Sequence, residues 1–397
     1  MSKKRLFNAV KLAQELVKIP SVNPMGRDFT ESPYLEGRLT DFLAGQFNQL
    51  DLPCERHEVL PGRENIMTRV DSPGAEVTVL LEVHQDTVPI EGMTIDPFGG
   101  KLENGRLYGR GACDIKGGMA AMLCSVARLA RERPPGAANV VFACTINEEN
   151  GFDGARHLRN LWEGGNSPLL PQAPDSIIVA EPTELNVVTA HKGTVRWRCQ
   201  TRGKAAHSSM PDQGKNAIYS MAGLLASLEV YAREVVPELA SHPLVGQPSL
   251  SVGMIEGGLS VNTVPDLCTI EIDRRLLPEE EIASVLRDVT EFLEARMGET
   301  ELFHERPFLA APGLSDRLNG DLAQSLMRVI RACGHPAECL GVPYGTDAST
   351  LAGADLPAVV FGPGDIAQAH TKDEWVEAVQ LEQAAEILYQ FCRSANG

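Results

Sequence analysis

The run Glu76-Val77-Thr78-Val79-Leu80-Leu81-Glu82-Val83-His84-Gln85-Asp86 constrains this chain more than any other stretch. It is mostly apolar and rich in branched residues, which is the composition of a strand buried on both faces. It ends on a histidine with an aspartate two positions later. A buried strand that delivers such groups at its C-terminal end predicts the rim of a site in an open α/β sheet. Other strands should then bring matching groups to the same edge.

They do. Asn139–Ile146 reads as a second buried strand and runs into Asn147-Glu148-Glu149; Ser176–Ala180 reads as a third and ends on Glu181-Pro182. Ala358–Phe361 is a fourth, followed by Gly362-Pro363-Gly364 and then His370. Residues 91 to 113 look like a long loop with a small hairpin. The loop closes with Gly109-Arg110-Gly111-Ala112-Cys113-Asp114, leading into a helix that carries Met119, Met122, Leu123, Val126 and Leu129 on one face and stops at Pro134-Pro135. Strands alternating with helices imply a parallel sheet with right-handed crossovers. Upstream, Leu6, Phe7, Val10, Ala13, Leu16 and Val17 mark a helix that ends near Pro20. A second helix from Leu35 to Leu50 precedes strands at Cys54–Val59 and Asn65–Val70.

The pattern changes near residue 190. Thr194–Thr201, Ser249–Ile255 and Thr269–Arg275 alternate, Glu301–His304 makes a fourth short strand, and Asn216–Val235 and Glu279–Met297 are helical. Two helices among four strands suggest an α+β insert of ferredoxin-like layout. The expected fold is therefore α/β: a mostly parallel-sheet catalytic domain from residues 1–189 and 307–397, with residues 190–306 as a second domain. Leu322–Ala332 and a C-terminal helix complete the first.

A chain of 397 residues is long enough for two such domains. Its formal charge of −17 argues against a general nucleic-acid or anionic-membrane binder, because phosphate-binding surfaces need clustered Lys and Arg. The amphipathic start lacks the continuous apolar core of a signal peptide, and no apolar run approaches a membrane span. The nine cysteines are scattered without a C-x-x-C pair and mostly sit in apolar runs, as expected of buried free thiols in a reducing cytoplasm.

At the strand edge the chain thus gathers His84, Glu148, Glu149 and Glu181, with Asp114 before a helix and His370 beyond the fourth strand. Two imidazoles among several carboxylates crowd too much like charge into one dry pocket unless cations are present. Structural zinc favours thiolates, and calcium or magnesium would favour oxygen alone. A pair of Zn²⁺ ions about 3.5–4 Å apart and sharing a carboxylate suits the mixed nitrogen and oxygen set.

These residues resemble the di-zinc amidohydrolases that include acetylornithine deacetylase, succinyl-diaminopimelate desuccinylase and carboxypeptidase G. The resemblance spans nearly the whole chain. It rests on His84-Gln85-Asp86-Thr87-Val88-Pro89, Gly109 to Gly118, Asn147-Glu148-Glu149 and Glu181-Pro182-Thr183, then on His207-Ser208-Ser209, Gly214 to Ile218, Asn262, Arg275 and Gln368-Ala369-His370. It implies that His84 and Glu181 hold one zinc, Glu149 and His370 the other, and that Asp114 bridges them. Asp86 would accept the far N–H of His84 and fix its orientation. Glu148 would be the general base, taking a proton from the attacking water and passing it to the leaving nitrogen. His207 would help hold the oxyanion, Arg275 and Asn262 would bind the substrate carboxylate, and the insert would act as lid and dimerisation domain. Co²⁺ or Mn²⁺ could substitute for zinc.

The implied activity is hydrolysis of the amide of N-acyl amino acids by a cytoplasmic homodimer, with N-acetyl-L-ornithine the foremost substrate. Tyr344-Gly345-Thr346-Asp347-Ala348-Ser349 lacks the Thr-Ser-Asp order of the desuccinylase, and the segment Gly362 to His370 is closer to acetylornithine deacetylase. N-succinyl-diaminopimelate desuccinylase, or a broader aminoacylase or dipeptidase, is the alternative within the class. A catalytically silent metal-binding or assembly protein is the alternative outside it, and such a relative should have lost a ligand or the base. His57, His157, His242, His304 and His335 read as structural, His191 as a residue of the domain junction and Cys113 as packing.

Overall fold

A computed structural model describes residues 8–298 and 300–395 of the chain. Leu6 and Phe7 of the expected first helix lie outside the described residues. From Ala9 the helix forms as its spacing requires: Ala9–Val17 turns Ala9, Leu12, Ala13, Leu16 and Val17 inward, and the Asn8 side chain accepts the Lys11 N–H at its start.

The chain divides into two compact units. The first comprises Met1–Thr189, Ser315–Leu340 and Thr346–Gly397. The large sheet takes its strands in the order Cys54–Leu60, Arg63–Val70, Asn139–Thr145, Thr78–His84, Ser176–Val179, Ala358–Val360, Val187–His191 and Cys339–Val342. The middle four are parallel, and antiparallel strands flank them. These central strands are the ones whose sequences run apolar without alternation, because helices or loops cover both of their faces. Along Thr78–His84, Val79, Leu81 and Val83 point into a core shared with helices Ala9–Val17, Gly37–Gln49, Lys116–Glu132, Gly320–Ala332 and Ala378–Ser394. The pleat sends Leu80, Glu82 and His84 to the opposite face. The expected hairpin near residue 100 is present as Lys101–Glu103 and Arg106–Tyr108, and Trp375–Glu377 adds a third strand.

The second unit comprises Ala190–Leu314 and Gly341–Gly345. Its sheet has the order Ser249–Gly257, Leu267–Leu276, Gly193–Arg202, Leu302–His304, paired antiparallel throughout. With helices Ala217–Val230 and Ile282–Met297 this is the β-α-β-β-α-β layout. The helices cover one face through Met221, Leu224, Val289 and Leu293 against Trp197, Ile270 and Ile272. Glu271, Asp273 and Arg275 alternate onto the other face. This unit runs past the expected end at residue 306, because Leu309–Ala311 pairs with Gly193–Arg202. Three residues are too few to show a period in sequence. Among the described residues no helix is long and apolar enough to cross a membrane.

Candidate active site

Neighbouring parallel strands lie about 4.8 Å apart, so residues that end adjacent strands converge. In the register His84 stands beside Thr145, and Glu82 is flanked by Ala143 and Val179. Glu148 and Glu149 follow the first neighbouring strand and Glu181 the second, so all reach the edge that carries His84. The Gly109–Asp114 loop brings Asp114 between them. His84 Nε2 lies 3.1 Å from Asp114 Oδ1 and 3.8 Å from Glu181 Oε1. His370 Nε2 lies 3.3 Å from Asp114 Oδ2 and 3.3 Å from Glu149 Oε2.

The residues thus form two ligand groups, His84–Asp114–Glu181 and Asp114–Glu149–His370, and the ligand atoms of each lie within 4.8 Å of one another. Asp114 belongs to both, one oxygen facing each imidazole. The donor set suits a pair of borderline divalent cations. Orientation agrees. His84 Nδ1 is 2.9 Å from the Asp86 carbonyl oxygen, which can only accept, so Nδ1 carries a proton and a neutral His84 presents the Nε2 lone pair to the site. The Val88 N–H fixes Glu149 through Oε1 at 3.1 Å.

The electrostatics make the same demand. Among the described residues no Lys or Arg side chain pairs with Asp114, Glu148, Glu149 or Glu181. Burial lowers the pKa of His84, but the hydrogen bond that its ring donates to Asp114 and the charges of Glu148, Asp114 and Glu181 outweigh it and hold the ring well above its usual range. Asp114 and Glu149 push His370 up to about 10. Burial raises Glu148 and Glu181 well above the ordinary carboxylate range, and raises Glu149 to about 7. Asp114 goes the other way: burial opposes its ionisation, but hydrogen bonds from His370 and His84 hold it below the usual range. The pocket is short of positive charge, which bound cations would supply. Glu148 belongs to neither ligand group.

Asp86 departs from expectation. Its main-chain oxygen, not its carboxylate, meets the His84 ring; the nearer carboxylate oxygen is 3.8 Å from Nδ1. The carboxylate instead accepts the Glu148 N–H at 3.1 Å, the Glu149 N–H at 3.2 Å and Asn23 Nδ2 at 2.7 Å.

Sequence reasoning also missed two supports. The buried Glu374 carboxylate accepts the N–H groups of Gly111 (3.0 Å), Cys113 (2.9 Å) and Asp114 (3.0 Å) and pairs with Arg110 at 2.6 Å. It thereby fixes the loop that carries the shared ligand. Behind His84, Thr145 Oγ1 lies 2.6 Å from Glu82 Oε1 and 3.1 Å from Asp347 Oδ2. A charged residue within the apolar run at Glu82 was a visible signal for the second group; Glu374 had no local signal.

The remaining candidates lie in the second unit. His207 is exposed and pairs with Thr263 in a two-stranded ribbon, its Nδ1 2.7 Å from Ser209 Oγ. The Ser208 N–H donates to the Asn262 carbonyl at 3.0 Å, so His207 and Asn262 sit together. Arg275 lies on the sheet face opposite the helices, paired with Asp273 at 2.9 Å. A cavity of about 830 Å³ borders the ribbon, lined by Ser208, Asn216, Tyr219, Leu259 and Val264 among others.

Known proteins resemble this chain over nearly its whole length. The model of peptidase family M20/M25/M40 matches residues 80–394. An acetylornithine deacetylase of Aliivibrio salmonicida is 30% identical over 399 residues, covering 96% of this chain and 97% of its own. Among solved structures, an M20 family metallo-carboxypeptidase of Sulfolobus solfataricus superposes with a TM-score of 0.78 at 19% identity over 100% of both chains. A dinuclear metal-binding M20 peptidase of Bacillus subtilis gives 0.69 at 15% identity, covering 99% of each. With two ligand groups that share Asp114 and a family model that matches most of its sequence, the chain belongs to peptidase family M20/M25/M40 and is a metal-dependent hydrolase.

Proposed function

We propose that this hydrolase cleaves the amide bond of N-acyl amino acids, N-acetyl-L-ornithine foremost. The observation that carries the reading is Asp114 shared between two ligand groups, with Glu148 beside them and committed to neither. His84 and Glu181 would hold one ion and Glu149 and His370 the other. Bound as a pair, zinc ions (or cobalt or manganese in their place) would polarise the amide carbonyl and lower the pKa of water to roughly 7.

The chain's own groups divide the remaining work. Glu148 accepts the proton of the attacking water and delivers it to the leaving nitrogen. Asp86 holds the backbone of the Glu148–Glu149 doublet in place. His207 donates an N–H to the developing oxyanion. Arg275 and Asn262 bind the carboxylate of the amino acid, the guanidinium by its paired donors. The name of the Aliivibrio relative and the run from Gly362 to His370 favour an acetylated basic amino acid. A dipeptide is the second reading, with the fold shared by an M20 family metallo-carboxypeptidase.

A homodimer completes the proposal. Ser249–Gly257 is an outer strand with Met254 63% and Ile255 57% exposed, and Leu259 at 94% and Val261 at 101% follow it. An open edge beside uncovered apolar side chains is a template for pairing with a second copy.

The test is a panel of N-acetylornithine, N-succinyl-diaminopimelate, neutral and acidic N-acetyl amino acids, and dipeptides, assayed with zinc-loaded and chelator-stripped protein. The highest kcat/KM is expected on N-acetylornithine, with hydrolysis abolished by the chelator. A preference for dipeptides would move the assignment to the second reading, and full activity without metal would end both.

A further inference from the structure

The residue in front of the Glu148–Glu149 doublet is tethered from several directions. Asn147 sits in the left-handed region at φ 64, where asparagine is tolerated and most side chains are not. Its carbonyl accepts the N–H groups of Gly151 at 2.9 Å and Phe152 at 2.8 Å. Its side chain is held from three sides: Oδ1 accepts Asn23 Nδ2 at 2.9 Å and Arg63 Nη1 at 3.0 Å, and Nδ2 donates to Asp153 Oδ2 at 2.6 Å.

The anchors are themselves fixed. Arg63 is 6% exposed and grips the fully buried Glu36 with two parallel bonds, Nε to Oε2 at 2.9 Å and Nη2 to Oε1 at 2.5 Å. Asn23 donates both to Asn147 and to Asp86, the carboxylate that takes the two N–H groups of the doublet. One branch thus holds the backbone of Glu148 and Glu149, another holds the residue in front of them, and both meet at Asn23.

We propose that Asn147 is the positioning residue of the doublet: its pinned amide locks the left-handed turn that points Glu148 at the attacking water and Glu149 at its ion. The proposal rests on Glu148 being the base. It predicts a turnover defect in a chain that still folds, binds substrate and retains metal.

The variant Asn147→Gly keeps a backbone that accepts positive φ and removes only the tether. Its kcat should fall by about 10–100-fold, the usual cost of losing an outer support of a metal site. KM should stay within about threefold and both ions should remain bound, because no ligand or substrate contact is touched. In the metal-stripped full chain, amide exchange across residues 146–152 should quicken, a readout independent of turnover. Asn147→Asp sets two carboxylates against each other at Asp153 and should show the same loss, whereas Asn147→Asp/Asp153→Asn restores one donor to one acceptor and should recover kcat. That rescue keeps the test decisive if the glycine variant fails to fold. Wild-type kcat in Asn147→Gly, or no recovery in the double variant, overturns the proposal. Glu148→Gln separates the cases: if it is inactive while Asn147→Gly is fully active, only the positioning role fails; if it is fully active, the base assignment fails too.

Discussion

The two halves of the acidic doublet have different surroundings, and the difference is testable side chain by side chain. Glu149 is bonded to the Val88 N–H and lies against His370, whereas Glu148 joins neither ligand group. Glu148→Gln should therefore retain both ions yet lose more than the roughly 10²–10⁴-fold typical of a single proton-transfer group, since one carboxylate serves two transfers. Glu149→Gln should lower metal content, measured by elemental analysis; exchanged phenotypes would reverse the assignment. The imidazoles make a second prediction. His370 is raised to about 10, so it carries an added proton at pH 7 in the metal-free chain, and the carboxylates around His84 shift it in the same direction. A ligand imidazole must be neutral, so metal uptake has to release protons, and affinity should rise with pH and weaken on acidification from pH 8 to 6. Calorimetry in buffers of differing ionisation heat counts the protons, and uptake with none released would contradict the ligand set.

Between residues and the whole lie the elements that bring the ligands together. The strands place His84 and bring Glu149 and Glu181 to the same edge, but Asp114 rides on a loop, and a loop holds position only if its polar groups are satisfied. Glu374, delivered by the strand-bearing segment after His370, meets three N–H groups of that loop. Glu374→Gln keeps the shape but replaces one acceptor oxygen with an amide that donates toward donors. We expect metal affinity to drop by about 10–100-fold, with kcat nearly normal at saturating metal. An unchanged affinity would show that the hairpin alone orders the loop.

For the molecule as a whole, the question is why so large an insert is kept. The second unit has its own core and an outer strand with bare apolar side chains, consistent with the proposed dimer. His207 lies on an exposed ribbon of this unit, and we propose that in a two-fold assembly it serves the metal centre of the other copy. Mixing His207→Ala chains with Glu148→Gln chains should then restore part of the activity, because one site per hybrid combines an intact Glu148 with an intact His207. Because the oxyanion exists only after water attacks, His207→Ala alone should lower kcat more than it raises KM. Verified hybrids that stay inactive, while wild-type chains treated alike recover, would place His207 in its own chain's site.

Much of this was legible in one dimension because strands are local and so is the rule that places chemistry at their ends. The apolar runs before His84, Asn147-Glu148-Glu149 and Glu181 announced themselves, and a parallel sheet has only one edge to which such ends can point. The alternation in Thr269–Arg275 likewise separates Ile270 and Ile272 from Asp273 and Arg275 in the sequence itself. What the sequence could not determine was which distant groups would support those ends. Glu374 is 260 positions from Asp114, Glu36 is 27 from Arg63, and Asn23 is 124 from Asn147. None of them interrupts a periodic pattern, so nothing local distinguishes them from solvated polar residues. The same holds for Asp86, whose spacing from His84 suggests one bond while Asn23 and the Glu148–Glu149 backbone, brought from elsewhere in the chain, take its carboxylate. Periodicity reports which face of an element is buried; only packing the elements together decides which buried polar group satisfies which.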